Sequence, residues 1–386
     1  MFEKRLADLE AQHLTRQMAP IESAVGPVIT TGGRQVLLLA SNDYLGLANH
    51  PEVVDAAVHA TRLYGAGAGA ARLISGSLPP HRRLEEALAR FKHCDAALVF
   101  GSGYLANLGA IPSLIGRSGV ILADRLCHAS VIDGCRLSEA DFRVYRHNDV
   151  AHLESLLARR TTRRRALIVT DGVFSMDGDL APLPALVDLA SRYEAHLYVD
   201  DAHGTGVMGK SGRGTIEHFD LEAVIPFQMG TLSKALGSSG GYVVGSTSLV
   251  QYLLNSSRSF IFTTASTPGS AAAATVALDI LQREPERRRR LWANRERLYA
   301  GLTNLGFTLA PTASPILPII IGQADRALLF ARELFARGVF APAIRPPTVP
   351  ESTSRIRVTV TSEHTTEQIE QALAAFRSAG ETARVL

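Results

Sequence analysis

The chain has 386 residues, 46% of them hydrophobic and 20% charged, with a formal net charge of +3. That length excludes one small domain and suits a globular enzyme with one large and one smaller domain. The weak net charge gives no footprint for nucleic acid, because the basic runs Arg163–Arg165 and Arg287–Arg290 each adjoin a helical stretch and read as solvated helix ends.

In chain order, residues 2–18 predict an amphipathic helix with Phe2, Leu6, Leu9 and His13 near one face. A glycine-containing segment, Gly26 to Gly33, leads into an apolar strand at Val36–Ala40. Pro51–Leu63 predicts a helix with proline in its favoured first turn. His81–Lys92 predicts another, with Leu84, Leu88 and Phe91 on one stripe. Short apolar runs then alternate with helical stretches. The strands are expected at Ala96–Phe100, Val120–Ala123, Arg143–Tyr145, Ala166–Thr170, His196–Asp200, Ile225–Met229 and Tyr242–Gly245. The helices between them are expected at Asn107–Leu114, His152–Arg159 and Leu183–Tyr193. Such alternation predicts an α/β fold: a mostly parallel sheet with helices on both faces, and ligands at the carboxyl ends of its strands.

Beyond it, Ser270–Gln282 and Glu284–Gly301 read as one long helical connector broken near Pro285. Strand Ile316–Ile321, helix Asp325–Arg337, strand Arg355–Val360 and a last helix over about residues 366–379 predict a small α+β domain. The expected division is an N-terminal segment, 1–40, packing with the small domain, a large domain, 41–275, and a small domain, 276–386. Cys94, Cys127 and Cys135 are odd in number and lack C-x-x-C spacing. They predict free thiols in a reducing compartment and no metal site. No apolar stretch approaches the ~20 residues of a membrane span, and Glu3, Asp8 and Glu10 leave no signal-peptide core. A cytoplasmic protein is expected.

Three strand-end motifs point to chemistry. Phe100-Gly101-Ser102-Gly103-Tyr104-Leu-Ala-Asn107 runs from strand through a glycine turn into a helix, whose N-terminal amides suit a phosphate. Leu197-Tyr-Val-Asp200-Asp201-Ala-His203 ends a strand with carboxylates and an imidazole. An anion such as Asp200 keeps a pyridine nitrogen protonated and the ring an electron sink. Asp201 and His203 read equally well as caps. Lys234 sits in Thr231-Leu-Ser-Lys234-Ala-Leu-Gly, with no other charge between Glu222 and Arg258. A partly desolvated amine there suits a Schiff-base lysine carrying pyridoxal phosphate. Asp124-Arg-Leu-Cys-His128 follows another strand, where an imidazole can stack on a flat ring.

Two strings act as decoys. Gly204-Thr-Gly-Val-Met-Gly209-Lys210-Ser211 satisfies the nucleotide phosphate-loop pattern, but a strand does not lead directly into it and Gly212 and Gly214 oppose a helix at Lys210. Gly65-Ala-Gly67-Ala-Gly69 follows a helical stretch, which fails the context of a dinucleotide turn.

These signals, in this order, resemble a fold-type I pyridoxal-phosphate enzyme. Ser41-Asn42-Asp43-Tyr44-Leu-Gly46, His128-Ala-Ser130, Gly172-Val-Phe-Ser175-Met-Asp-Gly178-Asp179, Asp200-Asp-Ala-His203 and Thr231-Leu-Ser-Lys234 together resemble the α-oxoamine synthases. His147-Asn-Asp149 and Ala343-Ile-Arg345-Pro-Pro-Thr348-Val-Pro350 are most similar to the members that join L-alanine to a pimeloyl thioester of coenzyme A or acyl carrier protein. Sister enzymes that take glycine or serine with acetyl or palmitoyl thioesters stay open at this point.

The resemblance implies roles residue by residue. Lys234 would hold the cofactor and move the α-proton, Asp200 would pair with the ring nitrogen, and His128 would stack. Ser175 and His203 would face the ring hydroxyl. Gly103, Tyr104 and Thr231 would hold the phosphate, and Thr264 would reach a neighbouring subunit's phosphate in a homodimer. Arg16 and Thr348 would contact the acyl substrate. Arg357, with Asn42 at the same pocket, would bind the amino acid carboxylate through its bidentate fork. The family often carries Phe where Tyr104 stands.

Overall fold

In the computed structural model, residues 2–12, 14–16, 18–160 and 164–386 are described. The chain divides into two compact units, one of residues 50–175 and 180–288, the other of residues 1–49, 176–179 and 289–386.

The larger unit is built on a seven-stranded sheet. Its strands run in the order Ala96–Phe100, Gly241–Gly245, Phe227–Thr231, Ala195–Asp200, Ala166–Asp171, Val120–Asp124 and Asp141–Tyr145. The pairings of Gly241–Gly245 with its two neighbours are antiparallel and all the others are parallel. Alternate residues of each strand go to opposite faces, because side chains on a strand have a period of two. Ile121, Ala123, Leu167, Val169 and Tyr198 bury themselves with Ala106, Ala110, Ile111 and Val131 on one face. Val120, Leu122, Ile168, Leu197 and Val199 bury themselves with Leu153, Leu157, Leu183 and Leu186 on the other. Both faces are therefore covered by helices, as a mostly parallel sheet requires. The expected strand Ile225–Met229 lies two residues later, at Phe227–Thr231, because its antiparallel pairing with Gly241–Gly245 extends it to Thr231 at the site.

The smaller unit holds two three-stranded sheets. Val28–Thr31, Arg34–Leu38 and Val339–Phe340 form one, and Ile316–Gly322, Ser354–Thr359 and Ala343–Ile344 form the other. Helices Ala324–Ala336 and Thr366–Ala383 belong to the same unit, and Phe307, Phe330 and Phe376 pack ring against ring. Residues 176–179 reach it from the larger unit's sequence: Arg355 donates to the Met176 carbonyl at 3.1 Å and to Asp177 Oδ1 at 2.6 Å.

The N-terminal helix spans Phe2–Ala11 and stops well short of residue 18, with none of its residues buried. Without packing, its amphipathic pattern has nothing to extend it. His13 and Arg163, named in the sequence reading, lie outside the described residues. Among the described residues no helix is long and apolar enough to cross a membrane.

Candidate active site

Parallel strands carry their chemistry at their carboxyl ends, and here those ends converge. A cavity of about 210 Å³ in the larger unit is lined by residues including Gly103, Tyr104, His128, Asp171, Ser175, Asp200, His203, Thr231 and Lys234. Gly103, Tyr104, His128, Ser175, Asp200, His203, Thr231 and Lys234, expected at the cofactor, all line this one cavity, and Thr264 does not.

Asp200 is the last residue of its strand and is buried. Its Oδ1 accepts the Ala202 N–H at 3.0 Å and its Oδ2 accepts from Asn107 Nδ2 at 2.7 Å. His128 caps the helix Ala129–Leu137, and its Nδ1 lies 2.8 Å from Ser130 Oγ. Burial pushes the His128 imidazole below its usual range; Asp200 opposes that and Lys234 adds to it. Its ring is therefore neutral near pH 7.

At the other wall, Ser102 caps the helix Gly103–Leu114 by accepting the Leu105 N–H at 3.1 Å. A Cβ on Gly103 would stand 3.0 Å from Met229 Cε and 3.4 Å from Thr231 Oγ1, so glycine keeps that corner of the cavity clear. Thr231 Oγ1 lies 2.8 Å from Ser233 Oγ and 2.9 Å from the Gly240 carbonyl. The Tyr104 phenol donates to the Asp133 carboxylate, so its ring hydroxyl is already engaged. A helix N-terminus with glycine and a threonine hydroxyl at one end, and a carboxylate, an imidazole and an amine further in, matches the donor set that pyridoxal phosphate needs.

The sequence reading missed Asp171, Asn107 and Lys92. Asp171 ends the neighbouring strand in register with Asp200. Burial, and then the Asp200 carboxylate, push its carboxyl well above the usual range, while it accepts the His128 N–H at 3.2 Å. An apolar strand ending in Asp was the available signal, the same one that marked Asp200. Asp201 turns away from the cavity. It accepts from Thr215 Oγ1 at 2.7 Å and from the buried Lys92 Nζ at 3.3 Å. Nothing local marks Lys92, which reads as an ordinary lysine at a helix end.

The phosphate-loop decoy is overturned by its own backbone. No helix starts at Lys210; the next begins at Thr215. The Glu217 carboxylate already accepts from the Ser211 and Arg213 amides at 2.9 and 2.8 Å, where a phosphate would need them. Thr264 is exposed and lines a separate small pocket with Phe260 and Ser266.

The remaining predicted residues belong to the smaller unit. Arg357 is buried and donates to Asn42 Oδ1 at 3.2 Å. A second, open cavity of about 750 Å³ is lined by Arg16, Arg332, Arg345 and Thr348 with an apolar wall that includes Phe335 and Ile344. Arg16 Nη2 donates to Thr348 Oγ1 at 3.2 Å, and burial and then the nearby Arg16 cation hold the Arg345 guanidinium below its ordinary value.

Comparison with known proteins gives the same picture. The family model described as aminotransferase class I and II matches residues 34–376. The 8-amino-7-oxononanoate synthase of Geobacter sulfurreducens is 50% identical over 378 residues, 97% of this chain and 96% of that one. A serine palmitoyltransferase variant of S. paucimobilis, solved with a bound PLP–myriocin aldimine, superposes with a TM-score of 0.96 at 33% identity, covering 100% of this chain and 98% of that one. The 8-amino-7-oxononanoate synthase structure from Francisella tularensis superposes with a TM-score of 0.78 at 28% identity, covering 91% of this chain and 99% of that one.

Proposed function

This chain belongs to the 8-amino-7-oxononanoate synthases within the class I and II aminotransferase family, and on that premise we propose that it condenses L-alanine with a pimeloyl thioester. It is a pyridoxal-phosphate-dependent acyltransferase of biotin biosynthesis. The products of the reaction are 8-amino-7-oxononanoate, carbon dioxide and the free thiol carrier, coenzyme A or acyl carrier protein. The observation that carries the reading is one cavity into which Lys234, Asp200 and His128 project from three different strand ends.

Bound there, pyridoxal phosphate supplies an electron sink that makes the α-carbon of an amino acid acidic and accepts the electrons released by decarboxylation. Lys234 would hold the cofactor, and its Nζ is the group that would take the α-proton and later return one. Asp200, with both oxygens already held by N–H donors, would be the fixed carboxylate that pairs with the ring nitrogen. His128 supplies a flat, neutral ring face. Ser175 and His203 would serve the ring hydroxyl, and Gly103, Tyr104 and Thr231 the phosphate. Arg357 grips the alanine carboxylate, with Asn42 Oδ1 setting the plane of its fork. Holding the carboxylate through proton removal and releasing it afterwards orders the loss of carbon dioxide after acyl transfer. Arg16 and Thr348 receive the acyl substrate.

The active form is a cytoplasmic homodimer. Phe262 and Ile74, 71% and 81% exposed, support it as apolar side chains on the unit that carries Thr264. Sedimentation velocity of the purified chain tests this, and a fully active monomer would refute it.

A sister activity, serine with a palmitoyl thioester, draws support from the closer superposition on serine palmitoyltransferase. One panel separates the two: thiol release with alanine, glycine or serine against pimeloyl, acetyl or palmitoyl thioesters. Alanine with pimeloyl thioester should turn over fastest. A best rate with serine and palmitoyl thioester overturns the proposal.

A further inference from the structure

Asn107 lies one helical turn beyond Gly103, on the helix whose first residues face the cavity, and it is fully buried. Its side chain has two N–H donors and one carbonyl acceptor, and all three are engaged. Nδ2 donates to Asp200 Oδ2 at 2.7 Å and to Ser130 Oγ at 2.9 Å, while Oδ1 accepts from Tyr198 O–H at 2.8 Å. The amide has one usable orientation. Reversed, its oxygen would face the Asp200 carboxylate, acceptor against acceptor.

The chain of donors continues past Asn107. Ser130 Oγ, which accepts the amide N–H, still has its own hydrogen to give, and His128 Nδ1 lies 2.8 Å away. The Ser130 backbone N–H also points at Nδ1, at 3.3 Å. A nitrogen that accepts from a backbone amide carries a lone pair, so the His128 proton sits on Nε2. The lowered pKa of His128, caused first by burial, agrees with a neutral ring. Close helix packing holds the network together. A Cβ on Gly134, in the helix that His128 caps, would stand 2.9 Å from the backbone carbonyl oxygen of Asn107.

We propose that Asn107 is a positioning residue whose single carboxamide fixes the Asp200 carboxylate and, through the Ser130 hydroxyl, the orientation of the His128 ring. One helix then registers both ends of the cofactor site: its first residues form the phosphate end, and its second turn sets the two groups that face the ring. The consequence for catalysis rests on the functional reading above; the hydrogen-bond network does not.

The test uses Asn107→Leu, which keeps the volume and removes the donors, with Ser130→Ala and Tyr198→Phe alongside in the full-length chain. Nitrogen-15 spectra of the cofactor-free protein report the His128 ring directly. The unsubstituted chain should show Nε2 protonated and Nδ1 bare, and both Asn107→Leu and Ser130→Ala should shift the Nδ1 signal, because the 2.8 Å hydroxyl contact is lost or reoriented and the 3.3 Å backbone N–H is left on that nitrogen. Absorbance titration should show pyridoxal phosphate binding roughly 10- to 100-fold more weakly to Asn107→Leu, the scale of a lost hydrogen bond to a charged group. Unchanged His128 signals together with cofactor affinity within twofold, in a folded Asn107→Leu protein, overturn the proposal. Should Asn107→Leu not fold, unchanged His128 signals in Ser130→Ala overturn it alone. A chain that takes up no pyridoxal phosphate refutes the functional reading, while the His128 signals still decide the network.

Discussion

The two cavities differ in how their charges are held. In the larger unit, Asp200 has N–H donors on both oxygens, His128 is fixed through Ser130, and neighbouring Asp201 is locked to Lys92 and Thr215. In the smaller unit, Arg16 and Arg332 are exposed around an open space more than three times as large. The first arrangement fixes charge where bonds change, since a catalytic group must not reorganise during the step. The second presents cations to solvent, which suits capture of a long anionic substrate but fixes its position only loosely.

Breaking the fixed side should cost the most. Lys234→Ala should lower the turnover of alanine with pimeloyl thioester by roughly 10⁴-fold, measured as thiol release. Turnover within tenfold of the unsubstituted enzyme would remove Lys234 from the chemistry. Lys92→Met leaves the Asp201 carboxylate buried without its cation, and should cost ~3–5 kcal/mol in urea unfolding. A loss under ~1 kcal/mol would mean that Thr215 alone satisfies Asp201.

His364 tests the smaller unit's core. Burial lowers its pKa from 6.5 to about 4. Between those values the unfolded chain binds the proton more readily than the folded one, so stability is full above pH 6.5 and falls as pH drops toward 4. The change over that window should be about 3 kcal/mol. His364→Asn should flatten that part of a stability–pH curve, and an unchanged slope would show that other groups govern it.

The weaker effects belong to substrate capture. Arg357→Lys loses the fork, and should raise KM for alanine roughly 10- to 100-fold with a smaller change in kcat. An unaltered KM would place the carboxylate elsewhere. Arg16→Gln, at an exposed site, should raise KM for the thioester only about two- to fivefold, with less effect at high salt. A hundredfold rise would show that the open cavity is as exacting as the closed one, and would erase the contrast.

Much of the site was legible because strand ends are local features. An apolar run that stops at Asp200, Asp124 or Phe100 shows where side chains leave the sheet, and the next few residues carry the chemistry. The sheet was legible for the same reason, as was the helix at Leu183–Arg192, while the helix expected from Asn107 begins a turn earlier, at Gly103. Strand direction was less so: Ala96–Phe100 and Gly241–Gly245 pair antiparallel, and nothing within either run records its neighbour. The N-terminal helix was overextended because an amphipathic pattern states which face could pack, not whether anything is there to pack against.

Asp200 and Asp201 show where the boundary falls. The sequence by itself determined that a strand ends in two adjacent carboxylates near a lysine loop, because alternation and termination depend on residues a few positions apart. Only the tertiary structure decided their different tasks. Gly172, Gly204 and Gly214, from three separate turns, leave room for the Asp201 side chain, since a Cβ on any of them would stand within 2.8 Å of its carboxylate oxygens. Lys92, 109 positions away, supplies its counter-charge. Asp200 faces the cavity and takes its partner from Asn107, 93 positions away. Direction along a strand is set locally, but the partner that fixes a buried charge must come from wherever the fold brings one within about 3 Å.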